Sequence, residues 1–253
     1  MFQTAPIEAA SQSELTSQMA ARLHTALTTH LQQAYAPDQR KNLRLFSATE
    51  TADLLGVTGQ FLRKCHSDGS LAEPEVIKNG RRFYSGEEIL QARHFLEASS
   101  RKPGKYLPGR REGDKLQVIQ LMNFKGGSAK STSAIHLCHY LALSGYRVLA
   151  IDLDPQGSLT GFCGIQTELE FEGASIYDAL RYDDPVPMSE AIVETYFPGL
   201  HLAPARLVLS EFETETAVNA GRGVAFFEKL SLAIQSVESD YDVVVIDSPP
   251  ALG

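Results

Sequence analysis

No tryptophan occurs in this sequence of 253 residues, and no apolar run approaches the roughly 20 residues that a membrane-spanning helix needs. The N-terminal stretch MFQTAPIEAASQSELTSQ lacks the basic start and the apolar core of a secretory signal. Cys65, Cys138 and Cys163 are odd in number and form no CxxC pair, which favours reduced thiols over a disulfide framework or a zinc site. A hydrophobic content of 43% excludes a disordered chain. These features predict a soluble, cytoplasmic protein with no membrane partner.

The formal net charge of −8 is an average over two regions of opposite sign. Residues 1–111 carry 15 Lys and Arg against 11 Asp and Glu, whereas residues 112–253 carry 8 against 20. The division indicates two modules with different partners, and the basic one suits nucleic acid.

The N-terminal region predicts an amphipathic helix, because apolar residues recur at every fourth position before Pro37. They are Leu15, Met19, Leu23, Leu27 and Leu31. We expect this helix, within residues 1–36, to pack on its own domain or on a second copy of the chain. Residues 101–115, RKPGKYLPGRREGDK, hold prolines, glycines and charges with little to bury, which predicts a linker or extended arm.

Between these segments, residues 40–100 predict a small winged helix-turn-helix domain. Capping boxes begin at Ser47 and Ser85, and Gly56 and Thr58 mark a turn and the start of a second helix. Asn79-Gly80 predicts a basic hairpin. The expected apolar contacts between the two short helices are Ala52, Leu55, Val57, Phe61 and Leu62. Cys65 and His66 are expected at the surface, and an ordinary helical hairpin with solvated charges stays open as the alternative.

The region 116–253 alternates strands with helices, which predicts an α/β fold with a parallel sheet covered by helices on both faces. The strands are expected in LQVIQLMNF (116–124), YRVLAIDLD (146–154) and YDVVVIDSPP (241–250), and a helix covers about 131–144.

The first strand leads into NFKGGSAKSTSA (123–134), which has the Lys-Ser pair of a phosphate-binding loop. In such loops backbone N–H groups and the helix N-terminus hold the phosphates. Lys130 would reach the β- and γ-phosphates, and the Ser131 hydroxyl would bind Mg²⁺. Phe124 and Ala129 stand where the usual pattern has glycines.

The order K-G-G-x-x-K-S-T resembles the deviant Walker A loop of the ParA/MinD family of P-loop ATPases. VLAIDLDPQGSLT (148–160) and VVVIDSPP (243–250) resemble that family's second acidic motif and its Walker B strand. Together the three motifs span most of 116–253, and the resemblance implies that family members continue with further strands beyond Gly253. The basic N-terminal module makes the likeness greatest to the larger plasmid members of the family, the RepA type of repABC plasmids.

This resemblance implies ATP and Mg²⁺ as cofactors and assigns roles to matching positions. Lys125 would reach the nucleotide of the other subunit in an ATP-sandwiched homodimer, and Asp154 would position the attacking water. Asp247 would hold the magnesium shell, and Asp152 would shape the metal region. The residues expected around the nucleotide are Lys125, Gly126, Gly127, Ser128, Ala129, Lys130, Ser131 and Thr132. A methyl group at Ala129 is tolerated at negative φ and harmful in the left-handed region.

The resemblance also implies DNA binding, autoregulation of the operon, a nucleoid-associated location and a centromere-binding partner of the ParB/RepB type. The expected DNA contacts are Thr58, Gln60, Arg63 and Lys64 on the second helix and Lys78, Arg81 and Arg82 on the wing. Two alternatives stay open: a transcriptional repressor whose ATPase half does not hydrolyse ATP, and a MinD-like division-site ATPase.

Overall fold

The computed structural model describes residues 41–167, 171–219 and 226–250, together with the helical residues 16–23, 25, 26 and 29. The chain divides into two units, residues 1–40 and 41–253. In the first, Met19 and Leu23 lie on a helix with exposed side chains, whereas Leu15, Leu27 and Leu31 lie outside the described residues. Among the described helices, none combines the length and apolar character that crossing a membrane requires.

The second unit begins with a three-stranded antiparallel sheet and three helices, which we call the winged module. The sheet order is β1-β3-β2. In chain order the elements are β1 (Phe46–Ser47), α1 (Ala48–Leu55), α2 (Gly59–Ser67), β2 (Val76–Lys78), β3 (Arg81–Tyr84) and α3 (Gly86–Ala98).

Local signals in the sequence set these boundaries. Ser47 and Ser85 both form complete capping boxes, and the Thr58 hydroxyl accepts the Phe61 N–H. Asn79 and Gly80 both have positive φ, as the tight turn between β2 and β3 requires. The predicted caps and hairpin are therefore confirmed.

The core of the winged module differs from the expectation at three residues. Phe61 is 43% exposed, although its spacing predicted burial between the helices. Cys65 and His66 are buried, not at the surface. The ring of His66 lies 2.8 Å from the Tyr84 hydroxyl and 3.2 Å from the Leu71 carbonyl oxygen, so both of its nitrogens have partners. This contact ties α2 to the strand of the wing.

The remaining elements form an α/β domain around a five-stranded sheet. Its strands are β4 (Gln117–Leu121), β5 (Val148–Asp152), β6 (Val193–Glu194), β7 (Leu200–Ala203) and β8 (Val243–Asp247), in the order β4-β8-β5-β7-β6. All neighbours are parallel except β6 and β7. The helices are α4 (Lys130–Leu143), α5 (Ser158–Phe162), α6 (Ile176–Leu180), α7 (Glu211–Asn219) and α8 (Phe226–Ser236). Short 3₁₀ helices cover Met188–Ala191, Leu207–Ser210 and Glu238–Asp240.

Alternating side chains of β5 and β8 supply two separate cores, one on each face of the sheet. Leu149, Ile151, Val244 and Ile246 belong to one core cluster. Their neighbours along the strands pack with α4 in the other cluster. The predicted parallel sheet with helices on both faces is confirmed.

Residues 101–115 pack against both modules instead of bridging them loosely. Tyr106 is buried, and the Glu97 carboxylate accepts three backbone N–H groups from this segment. Farther along, the Arg110 N–H donates to the buried Asp242 carboxylate at 2.9 Å. The segment is therefore attached to the winged module at one end and to the α/β domain at the other.

Candidate nucleotide site

The phosphate loop lies between β4 and α4, as the sequence predicted. It leaves β4 after Leu121 and enters α4 at Lys130. Gly127 has φ +72° and Ala129 has φ +62°, so both residues occupy the left-handed region. Ala129 is the N-cap of α4, where it makes no side-chain hydrogen bond. The first N–H groups of α4 therefore have no capping side chain, as an anion-binding helix start requires.

Polar groups in the loop point to an anionic ligand. The Ser128 hydroxyl oxygen is buried without a hydrogen-bond partner in the described part of the chain. Lys125 is exposed, and its backbone N–H donates to the Asn123 side chain at 3.0 Å. Lys130 and Ser131 are half-buried at the start of α4, and Thr132 is exposed beside them. Gly126 is exposed in the turn, with open space where a Cβ would stand.

Asp247 provides the acid next to this loop. It ends β8 and pairs in register with Leu121 on one side and Asp152 on the other. Its side chain is fully buried, and neither oxygen has a partner of normal hydrogen-bond geometry among the described residues. Burial is the largest influence and raises its pKa, while the nearby Ser131 hydroxyl lowers it. A buried carboxylate without a partner, beside a hydroxyl at a phosphate loop, fits the oxygen set that Mg²⁺ prefers.

Asp152 ends the neighbouring strand β5 but, unlike Asp247, has hydrogen-bond partners on both oxygens. One of its oxygens accepts the Thr160 N–H and hydroxyl at 2.9 and 2.7 Å, and the other accepts the Asp154 N–H at 3.1 Å. Burial raises its pKa to about 6, and these hydrogen bonds oppose the rise. Asp152 thus holds the turn that carries Asp154.

Asp154 is half-buried, and its carboxylate accepts the Gln156 N–H at 3.0 Å. Its charge raises the pKa of Asp247, which places the two carboxylates within electrostatic reach. The structure therefore brings Asp152, Asp154, Asp247 and the start of α4 to one end of the sheet.

The predicted DNA contacts are distributed over α2 and the wing. Gln60, Arg63 and Lys64 are exposed on α2, and Lys78 and Arg81 are exposed on the hairpin. The Arg63 Nε donates to the Gly59 carbonyl at 3.2 Å.

Two of the predicted contacts already have partners in the winged module. The Thr58 hydroxyl caps α2. Arg82 makes two hydrogen bonds to the Glu73 carboxylate at 2.5 and 2.6 Å. Glu73 was not singled out from the sequence, because nothing in its local spacing relates it to residue 82. Within the described residues no His, Cys, Asp and Glu group forms a metal cluster, Cys65 and His66 included.

The strand, loop and helix with an acid at the end of the neighbouring strand define a P-loop nucleotide-binding domain. A family model described as an AAA domain matches residues 116–253. The chain belongs to that family and, within it, to the ParA/SopA family of partition ATPases.

Similarity to individual proteins extends into the winged module. A proposed replication protein A of Sinorhizobium fredii is 46% identical over 228 residues, covering 87% of this chain and 56% of that protein. Protein SopA of Escherichia coli K12 is 32% identical over 226 residues, covering 86% and 56%. This chain thus spans little more than half the length of either relative. The solved cobyrinic acid a,c-diamide synthase of Mycobacterium smegmatis, with bound ATP analog and magnesium, is 36% identical with a TM-score of 0.49 and covers 55% of this chain and 53% of that one.

Proposed function

We propose that this protein is a plasmid partition ATPase that binds ATP with Mg²⁺, dimerises around it and hydrolyses it slowly. The observation that carries the proposal is the unpartnered, buried carboxylate of Asp247 next to the start of α4. Isolated buried charge is unfavourable, so a site that retains it at a phosphate loop is suited to a cation. The family membership supports the same reading.

The phosphate groups would be held by the loop N–H groups from Gly126 to Thr132 and by the ammonium group of Lys130. Mg²⁺, when bound, neutralises phosphate charge, and Ser131 and Asp247 are the residues placed to hold it. Asp154 would orient the attacking water, and Asp152 would keep the Asp154 turn in position. Lys125 is exposed, so it can reach a nucleotide bound by a second copy and stabilise charge on the transferring phosphoryl group.

The winged module would bind operator DNA through α2 and the wing, and so regulate the operon. Gln60, Arg63, Lys64, Lys78 and Arg81 are exposed as such contacts require. We further propose a centromere-binding partner that stimulates hydrolysis, and action in the cytoplasm on nucleoid DNA.

The test compares the parent chain with Lys130→Ala and with Lys115→Ala, an exposed lysine outside the loop. Binding of a fluorescent ATP analogue and release of phosphate are measured with Mg²⁺, with and without duplex DNA. We expect Lys130→Ala to weaken binding roughly tenfold or more, since a charge-assisted contact is worth about 1.5–3 kcal/mol, and to lose turnover. Lys115→Ala should match the parent.

Turnover at the parental rate in Lys130→Ala contradicts the site assignment. Nucleotide binding by the parent without turnover, even with DNA and partner present, favours the non-hydrolysing repressor. ATP-dependent binding to anionic vesicles instead of DNA favours the division-site ATPase.

A further inference from the structure

Lys41, which lies just before the winged module, makes a close contact with the α/β domain. Its ammonium group donates to the carbonyl oxygens of Gly161 and Phe162, both at 3.0 Å. The same group lies 5.8 Å from the centre of the Phe162 ring. These carbonyls belong to the last two residues of α5, and a cation is favoured at the negative end of a helix.

The contact is also closely packed along the lysine stem. A Cβ on Gly164, which has φ +85°, would lie only 3.2 Å from the Lys41 Cβ. The lysine therefore lies directly against the turn that follows α5, and glycine allows this approach.

The helix α5 is also attached to the nucleotide site. The Asp152 carboxylate holds Thr160 through two hydrogen bonds, and the segment from Asp152 to Ser158 contains Asp154. The short helix is thus held by Asp152 at Thr160 and by Lys41 at its last two residues.

Lys41 is connected to the winged module within a few residues. Leu43 packs against the core clusters of both the winged module and the α/β domain. It also lies against the start of α3, where a Cβ on Gly86 would come within 2.7 Å of its side chain and 3.0 Å of Pro198. Lys41 and Leu43, two residues apart in the chain, therefore link α5 to the start of α3.

We propose that Lys41 is a positioning residue that couples the Asp152–Phe162 segment of the nucleotide site to the winged module. The inference rests on the proposed function, since it assigns a regulatory link to that site. Because coupling between two sites is reciprocal, nucleotide bound near Asp154 should stabilise the winged module's contact with α5, and DNA on the winged module should alter nucleotide affinity.

The experiment measures backbone hydrogen exchange of the full chain with and without ADP and Mg²⁺. It compares the parent with Lys41→Met, Lys41→Arg and Lys115→Met, the last as a matched loss of an exposed lysine. Binding of a fluorescent ADP analogue is measured separately for each variant. The reporting amides at α5 are Cys163, Gly164 and Ile165, which donate to carbonyls of the last turn.

In Lys41→Met without nucleotide, we expect exchange at these amides to rise about threefold to fivefold, the scale of an exposed charge contact. ADP should slow exchange in peptides 43–48 and 86–93 of the parent and of Lys41→Arg, which can donate to the same carbonyls. That slowing should be lost in Lys41→Met although the variant still binds the analogue.

Equal nucleotide-induced protection of the winged peptides in Lys41→Met and the parent overturns the inference and leaves the proposed function standing. The same holds if the parent binds the analogue without any change in those peptides. If the parent fails to bind the analogue, the proposed function fails and the nucleotide coupling fails with it. Exchange at α5 without nucleotide still reports whether Lys41 holds the helix.

Discussion

Replacing Ala129 by glycine should stabilise the protein, although alanine-to-glycine changes usually destabilise. Ala129 has φ +62° and ψ +27°, the left-handed conformation, at the N-cap of α4. An L-residue with a Cβ is disfavoured there by about 1–2 kcal/mol. Glycine removes that strain but gains conformational freedom in the unfolded chain, which costs about 0.4–1 kcal/mol. At the middle of both ranges the expected net gain is about 0.8 kcal/mol.

The assay is urea unfolding of the chain without nucleotide, followed by circular dichroism. For a chain of this size, the gain corresponds to a thermal midpoint about 1–4 °C higher. Two variants that should lower the stability of the protein serve as controls. Ala98→Gly, at the exposed end of α3, should lower the free energy of unfolding by about 0.5–1 kcal/mol because Ala98 has helical backbone angles. Gly127→Ala, at φ +72° with open space around a Cβ, should be destabilising through backbone strain alone.

If Ala129→Gly destabilises the protein as much as Ala98→Gly does, the left-handed conformation of Ala129 is refuted. Equal stability of Gly127→Ala and the parent would count against it as well. Because these variants change backbone strain in the folded chain, the outcome does not depend on whether the protein hydrolyses ATP.

Two further predictions follow from the electrostatics of the site and the wing. Asp152 has its pKa raised from 3.8 to about 6, so the folded state binds its proton more tightly. The contribution of Asp152 to stability is therefore full below pH 3.8 and is lost as pH rises through 6. In urea titrations, the free energy of unfolding of the parent minus that of Asp152→Asn should fall by up to about 3 kcal/mol between pH 4 and 7. A difference that does not change with pH would refute this prediction. Glu73→Gln should release Arg82, leave stability nearly unchanged because the ion pair is exposed, and steepen the salt dependence of duplex DNA binding by roughly 0.9 in log–log slope. Glu75→Gln, which changes an exposed acid two residues further along the chain, is the matched control. An equal change in the salt dependence in that variant would show a general charge effect only.

Features that depend on neighbours within four residues could be predicted from the sequence. The capping boxes at Ser47 and Ser85, the cap at Thr58 and the turn at Asn79-Gly80 all involve contacts of this range. The strands β5 and β8 could also be predicted, because a parallel strand covered on both faces needs a continuous apolar run, and both are buried throughout.

Features that depend on partners far away in the chain could not be predicted from the sequence. His66 lies on α2 and is buried because Tyr84, on the strand β3, supplies a partner for its ring. Segment 101–115 looked like a linker because its many polar groups have few local partners. Its contacts are with Glu97 and Asp242, and the latter lies more than 120 residues away in the chain.

The same limit separates the two acids at the ends of β5 and β8. Asp152 and Asp247 both follow an apolar strand, lie opposite each other in register and are fully buried. Their hydrogen bonds distinguish them: Thr160 donates twice to one Asp152 oxygen and the Asp154 N–H donates to the other, whereas Asp247 has no hydrogen-bond partner among the described residues. Since a cation binds where oxygen lone pairs are unused, we expect Asp247 and not Asp152 to hold the proposed Mg²⁺. Asp152 therefore shapes the turn, and Asp247 faces the phosphate loop with its charge available.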